Sequence, residues 1–390
     1  MAATTKVPTE GRITALTESA ERIRLLAGEL AVESERGRRL HPDLVDALRD
    51  SGLLRCGAPA DLGAAEAPPA VSLACAETVA RGDAAAGWCV SIALTSSLLA
   101  AYLPADGAAE TLGNPRAAAA GVWAPRAKAR PVDGGVIVSG RWAFCSGITH
   151  SDHFFGGCVL DTGQADAPPA LRAVGIPTTE LEILDTWHTS GLRATGSHDA
   201  VADEVFVPHH RVLSIVDGPL IDAPLYRFPL YGYFALSVAA AALGNARGAL
   251  DDLLELAGPG KDALGSRRTL GTKSTTHAAA ARAEAELRAA RAFFYSAVDD
   301  AWQAALTGST MTVELRAALR LAAAHAVKAA ASVTGAVYEL GSGAAIYEDS
   351  PLQRRFRDAN TATAHIQVSP GTWELVGRLL LGQTANAAQL

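Results

Sequence analysis

No block of lysine and arginine interrupts this 390-residue sequence, and no uninterrupted apolar run is long enough to cross a bilayer. The longest apolar candidate, residues 233–243, falls far short and lies beside Asn245 and Arg247. The start, MAATTKVPTEGR, lacks the apolar core of a secretory signal. A net charge of −7 and a pI near 5.8 leave no electrostatic footprint for nucleic acid or for an anionic membrane. The five cysteines, Cys56, Cys75, Cys89, Cys145 and Cys158, are odd in number and include no C-x-x-C pair. They predict reduced, mostly buried thiols in a cytoplasmic protein. The G-x-S-x-G elbow of serine hydrolases is also missing.

What is present is a globular composition, 49% hydrophobic and 19% charged. The length exceeds one minimal core and suits two or three regions sharing an interior. Abundant alanine favours helix and close helix packing. Leu16, Ala20, Ile23, Leu26 and Leu30 recur at helical steps. Pro42 suits a first helical residue, and Gly52 closes that helix. More helix is predicted over 71–102, broken near Gly82 and Asp83.

The character changes near Gly121. Asp133-Gly134-Gly135 reads as a turn before β-branched Val136, Ile137 and Val138, and strand-like runs recur over 154–160, 171–176 and 201–207. After Pro229 the pattern is helical again, with Leu287, Phe294 and Val298 on one face and Val333, Val337 and Leu340 on another. Breaks at Gly258-Pro259-Gly260 and Gly308-Ser309 suggest an antiparallel bundle. The predicted fold is mainly α with a β middle domain: helices over 1–118, a β-domain over 119–220 and a helical bundle over 221–390.

Several motifs read more simply than their chemistry suggests. His150-Ser151-Asp152-His153 has two metal-ligating side chains but no third at a recognised spacing, so no metal is predicted. Gly271-Thr272-Lys273-Ser274 resembles the end of a phosphate loop, but Gly265 is one residue too far upstream. Gly341-Ser342-Gly343 follows a helix rather than a strand and is no dinucleotide fingerprint. Cys145 has no local activating partner. His365, taken alone, reads as a hydrogen-bonded structural residue. These residues by themselves do not name a reaction.

Two segments bear a family resemblance. Gly191-Leu192-Arg193-Ala194-Thr195-Gly196-Ser197-His198-Asp199, with Asp203-Glu204-Val205-Phe206-Val207-Pro208 after it, resembles one signature of the acyl-CoA dehydrogenase superfamily. Gly341 to Tyr347, followed by Pro351 to Ala359, resembles the other, and the resemblance covers nearly the whole chain. Within the superfamily, Ser139-Gly140-Arg141-Trp142-Ala143-Phe144-Cys145-Ser146-Gly147 is similar to the S-G-x-W-x-F-x-S-G mark of two-component flavin monooxygenases. The dehydrogenases need a carboxylate base, which many carry just after the Arg-Asp-Ala segment. Residues 360–367 contain none, and Glu255, the other candidate, precedes a break in the family pattern.

The resemblance implies an oxygenase that receives FMNH2 or FADH2 from a separate flavin reductase and hydroxylates an aromatic metabolite, phenolic or polycyclic, with O2 through a flavin C4a-hydroperoxide. N- or S-oxygenation and dehydrogenase-type FAD chemistry are the alternatives. It implies that Trp123 and Phe144 wall the flavin ring, that Ser146 lies near flavin N5, and that His365 faces C4a as a base or steadying group with a pKa near the working pH. Gly341 and Ser342 would approach the flavin tail at a subunit interface of a homotetramer. Trp187 would line the flavin edge or fill core. Arg357 and Asp358 read as a structural pair. No second histidine lies between His41 and His150, which leaves Ser96 or Ser97 as substrate contacts and a non-phenolic substrate open.

Overall fold

The computed structural model describes residues 10–163, 169–258, 270–387 and 390. The tail read over 1–9, Pro259-Gly260 of the helix break and Gly265 of the phosphate-loop resemblance lie outside them.

Six helices come first: α1 (Glu10–Glu29), α2 (Ala31–Gly37), α3 (Pro42–Ser51), α4 (Pro69–Gly82), α5 (Ala84–Ser97) and α6 (Ala105–Leu112). Local chemistry sets their ends. Pro42 opens α3 behind a His41 ring that accepts from the Asp43 amide, and Gly52 stops it at φ 75°. Asp83 separates α4 from α5 and caps α5 by accepting from the Ala86 amide. α5 is buried at every position but Ile92. Together with the short turn after it, Ala84–Tyr102 is long and apolar enough to cross a membrane, contrary to the sequence reading, yet 94% of its apolar window is buried inside the protein. That burial marks a core helix.

Seven strands follow: β1 (Ala119–Val132), β2 (Gly135–Trp142), β3 (His153–Leu160), β4 (Ala170–Pro177), β5 (Glu182–Leu184), β6 (Asp199–Pro208) and β7 (Val212–Leu213). They form one sheet in the order β5-β6-β2-β1-β3-β4-β7. β1 pairs parallel with β3, and the other pairings are antiparallel. Gly134, at φ 76°, makes the tight turn between β1 and β2. Trp142 is fully buried, donates to the Gly157 carbonyl at 2.8 Å and meets Phe154 edge to face at 5.2 Å.

The rest is helical: α7 (Pro224–Arg227), α8 (Leu230–Leu256), α9 (Ser274–Thr307), α10 (Val313–Gly341), α11 (Pro351–Ala362) and α12 (Pro370–Leu380). The long α8, α9 and α10 pack together, and α8 also packs against α4 and, less extensively, α5. Alanines on these faces let the backbones approach closely. At Gly244 even one carbon more would run into the Glu77 carbonyl of α4. α5 therefore sits among the N-terminal helices, the sheet and the bundle, touching β1, α8 and the Arg193–Thr195 turn.

Candidate active site

Two of the residues singled out by sequence, Ser146 and His365, meet around an indole that the sequence reading missed. Trp88, on α5, donates from Nε1 to Ser146 Oγ at 3.2 Å. Its ring also meets the His365 imidazole edge to face, with centroids 5.4 Å apart. Ser146 follows β2 and His365 follows α11, so one buried side chain joins all three regions. The only sequence signal for Trp88 is a single large aromatic in the small-residue stretch Ala84-Ala85-Ala86-Gly87-Trp88-Cys89.

Ser146 ends a chain of hydroxyls whose direction is fixed. Thr195 Oγ1 bonds the Leu192 carbonyl at 2.8 Å, and a carbonyl only accepts, so Thr195 donates there. Thr195 must then accept from Ser197, 2.5 Å away. Ser197 must in turn accept from Ser146, 2.7 Å away. With its proton committed to Ser197 and one lone pair taken by Trp88, Ser146 keeps a single acceptor lone pair. Thr195 and Ser197 were inside the quoted signature, but nothing in the sequence marked them as partners of Ser146.

His365 is held differently. Its Nδ1 accepts from the Gln367 amide at 3.3 Å, so a neutral ring carries its proton on Nε2. Burial, and then the Arg320 guanidinium, push the imidazole down to about 4. This differs from the expected value near working pH. The ring is neutral at pH 7 and offers an N–H donor rather than a ready base.

Phe144 adopts φ 65°, leaves its ring 70% exposed and meets Trp187 edge to face at 6.1 Å. Trp187 is half-buried and donates to the Leu192 carbonyl at 3.0 Å. Trp123 has different neighbours. It stacks on Phe234 at 5.2 Å, and a Cβ on Gly121 would stand 2.7 Å from its ring. Beside it Ser96 Oγ is fully buried with no hydrogen-bond partner among the described residues, whereas Ser97 is bonded to Leu94 and Gly57. Gly341 packs against Leu352 and Ala345, and Ser342 is exposed at φ 48°. Among the described residues no contact joins Gly341 or Ser342 to Ser146, Trp88 or His365. His150 and His153 are each pushed down by burial, and no group of three metal-ligating side chains converges among the described residues.

These residues suit a flavin. A flat aromatic ring system needs apolar walls with a few polar atoms at its edge. The open Phe144–Trp187 pair, the Ser146 lone pair and the His365 N–H supply both.

Comparison with known proteins agrees. The acyl-CoA dehydrogenase C-terminal domain family matches residues 236–370. Indole-3-acetate monooxygenase of Pseudomonas putida is 33% identical over 90% of this chain and 90% of its own. The oxygenase subunit HsaA of a flavin-dependent monooxygenase from Rhodococcus jostii is 29% identical over 88% of this chain and 91% of its own. The crystal structure of XiaF from a Streptomyces species, in complex with FADH2 and glycerol, superimposes with TM-score 0.87 at 27% identity, over 95% of this chain and 96% of that one. With this similarity and the same fold, the chain belongs to the flavin-dependent monooxygenases of the acyl-CoA dehydrogenase superfamily.

Proposed function

We propose that this chain is the oxygenase component of a two-component system. It takes FMNH2 or FADH2 from a separate reductase and hydroxylates a small or polycyclic aromatic metabolite. The observation that carries this reading is the convergence of Ser146 and His365 on Trp88 beside the open Phe144–Trp187 pair. Relatives whose names specify aromatic substrates, indole-3-acetate and resorcinol, support the substrate class.

Bound in this cleft, reduced flavin would supply the electrons that let one atom of O2 enter the substrate while the other leaves as water. The chain's own groups do the rest. Ser146 Oγ, left with a lone pair, would accept a hydrogen bond from an N–H at the edge of the reduced flavin ring and so hold that proton in place. His365 donates from Nε2 to an oxygen in the cleft. The buried Trp88 keeps water from the Ser146 and His365 side, and a bound flavin would cover the open Phe144–Trp187 pair. Gly341 and Ser342 serve the flavin tail across a subunit contact. A homotetramer would cover Trp373, Leu380 and Leu381, all exposed in the single chain. Five buried, free cysteines suit the cytoplasm.

The test needs no substrate. Reduced FMN or FAD is mixed anaerobically with excess protein, then with oxygenated buffer, and H2O2 is followed. Release slowed by about tenfold or more supports the reading, since a dry cleft withholds the proton that peroxide release requires. Release as fast as from free flavin, with either flavin, sinks it.

A further inference from the structure

Asp358 lies on α11, buried to 4% exposure, and its Oδ1 accepts from the Leu192 amide at 2.6 Å. Leu192 is unusual. Its φ of 50° and ψ of 33° put a branched, buried side chain in the left-handed region, which L-residues other than glycine, asparagine and aspartate rarely occupy. Such a conformation persists only when its surroundings hold it. The Leu192 amide is held by Asp358. The Leu192 carbonyl takes three donors: the Trp187 indole at 3.0 Å, the Thr195 hydroxyl at 2.8 Å and the Thr195 amide at 3.2 Å. That carbonyl is where the hydroxyl chain to Ser146 begins. A small cavity lined by Trp88, Leu192, Asn245 and Asp358 brings the two ends of this connection to one place.

We propose that Asp358 is a positioning residue for the flavin cleft. By fixing the amide of the strained Leu192 it anchors the residue whose own carbonyl, one peptide further on, faces both Trp187 and Thr195. It thereby holds the flavin-edge indole in place and sets the direction of the Thr195–Ser197–Ser146 chain, so that Ser146 presents a lone pair. The part concerning Ser146 rests on the function proposed above. The part concerning the Leu192 peptide does not.

The alternative is that Asp358 only fills its site and neutralises nearby charge. Burial and Asp83, opposed by the Leu192 amide and then Arg354, raise its carboxyl to about 7, and a purely electrostatic role would be lost equally in any uncharged replacement. Asp358→Asn removes the charge and keeps an acceptor oxygen. Asp358→Leu removes both. The two are compared in whole protein carrying 5-fluorotryptophan at all six tryptophans. Fluorine NMR without flavin reads the surroundings of each indole, and product formed per reduced flavin reads the cleft.

The expected result is that Asp358→Leu shifts the Trp187 and Trp88 signals and leaves Trp123, Trp142, Trp302 and Trp373 in place. Product per flavin falls about tenfold, the loss of one buried hydrogen bond. Asp358→Asn restores both readouts to within about twofold, a rescue that the acceptor oxygen alone provides. Thr195→Val, which cuts the chain while leaving Asp358 intact, shifts Trp88 but not Trp187, and adds nothing to the loss seen in Asp358→Leu. Folded Asp358→Leu with unmoved Trp187 and Trp88 signals overturns the proposal, and so do additive losses. If Asp358→Leu does not fold, Thr195→Val and Asp358→Asn decide: an unmoved Trp88 in the first, or displaced Trp187 and Trp88 in the second, overturns it. Should Ser146→Ala leave product per flavin unchanged, the reading of Ser146 fails, while the fluorine signals still decide the role of Asp358.

Discussion

The two sides of Trp88 are built on opposite plans. On the sheet side, Ser146 is nine-tenths buried and belongs to a hydroxyl chain in which every proton has one place to go. On the bundle side, His365 is half-buried, has one long bond to Gln367 and is followed by Ile366, which is 78% exposed. The first side is set before any ligand arrives. The second is free to adjust. A site that must hold a cofactor proton in one place, yet accept substrates of different shape, gains from dividing the tasks in this way.

The largest way to break this comparison is to remove what the sides share. Trp88→Ala should lower stability by about 3–5 kcal/mol, the usual cost of deleting a buried indole, read as a shifted denaturant midpoint. It should also uncouple both sides at once. Trp88→Phe keeps the ring wall and loses only the bond to Ser146, which retains its bond to Ser197 and its acceptor lone pair, so its loss of product should be smaller than that of Ser146→Ala or the alanine variant.

Next comes Ser146→Ala, which attacks the preset side alone. Product per reduced flavin should fall by about tenfold or more, with H2O2 making up the difference, while stability changes by roughly 1 kcal/mol. An unchanged ratio of product to peroxide would mean that the hydroxyl chain is only structural.

The smallest effect belongs to the adjustable side. The folded chain holds His365 down at about 4, against an ordinary value of 6.5. As pH falls between those values, the unfolded chain takes up a proton that the folded chain refuses. This residue's contribution to stability therefore declines from pH 6.5 towards 4 and is constant above that window. His365→Asn should flatten that part of the stability profile. Hydroxylation by the parent enzyme should show no step at pH 6.5 that disappears in His365→Asn. Such a step would restore the imidazole as a proton carrier.

Much of the fold was legible because it rests on local signals. Pro42 and Gly52 bound α3, Asp83 parts two helices, and the valine-rich runs lie in β2 and β6. β1 was not read as a strand, only as a change of character near Gly121. It carries Pro125, which falls where its pairing with β3 shifts register between Val122 and Ala127, a bulge that tolerates what a regular ladder would not, and Pro131, opposite Val136 near the strand's end. The site was legible only through resemblance. Ser146 lies 58 residues from Trp88, and their contact depends on where α5 passes under the sheet, which no local pattern encodes. Sequence reading also placed the imidazole near the working pH, because neither its burial nor its approach to Arg320 has a signature along the chain.

The near-total burial of α5 has a consequence for the history of such enzymes. A residue there cannot change size without disturbing the helices on one side, the sheet on another or the bundle on a third. Its amides should exchange with solvent only when the whole chain opens, making it the slowest clock in the molecule. Substitutions that leave the fold intact are then easier around this helix, at exposed positions such as Ile366 and Phe144, than within it.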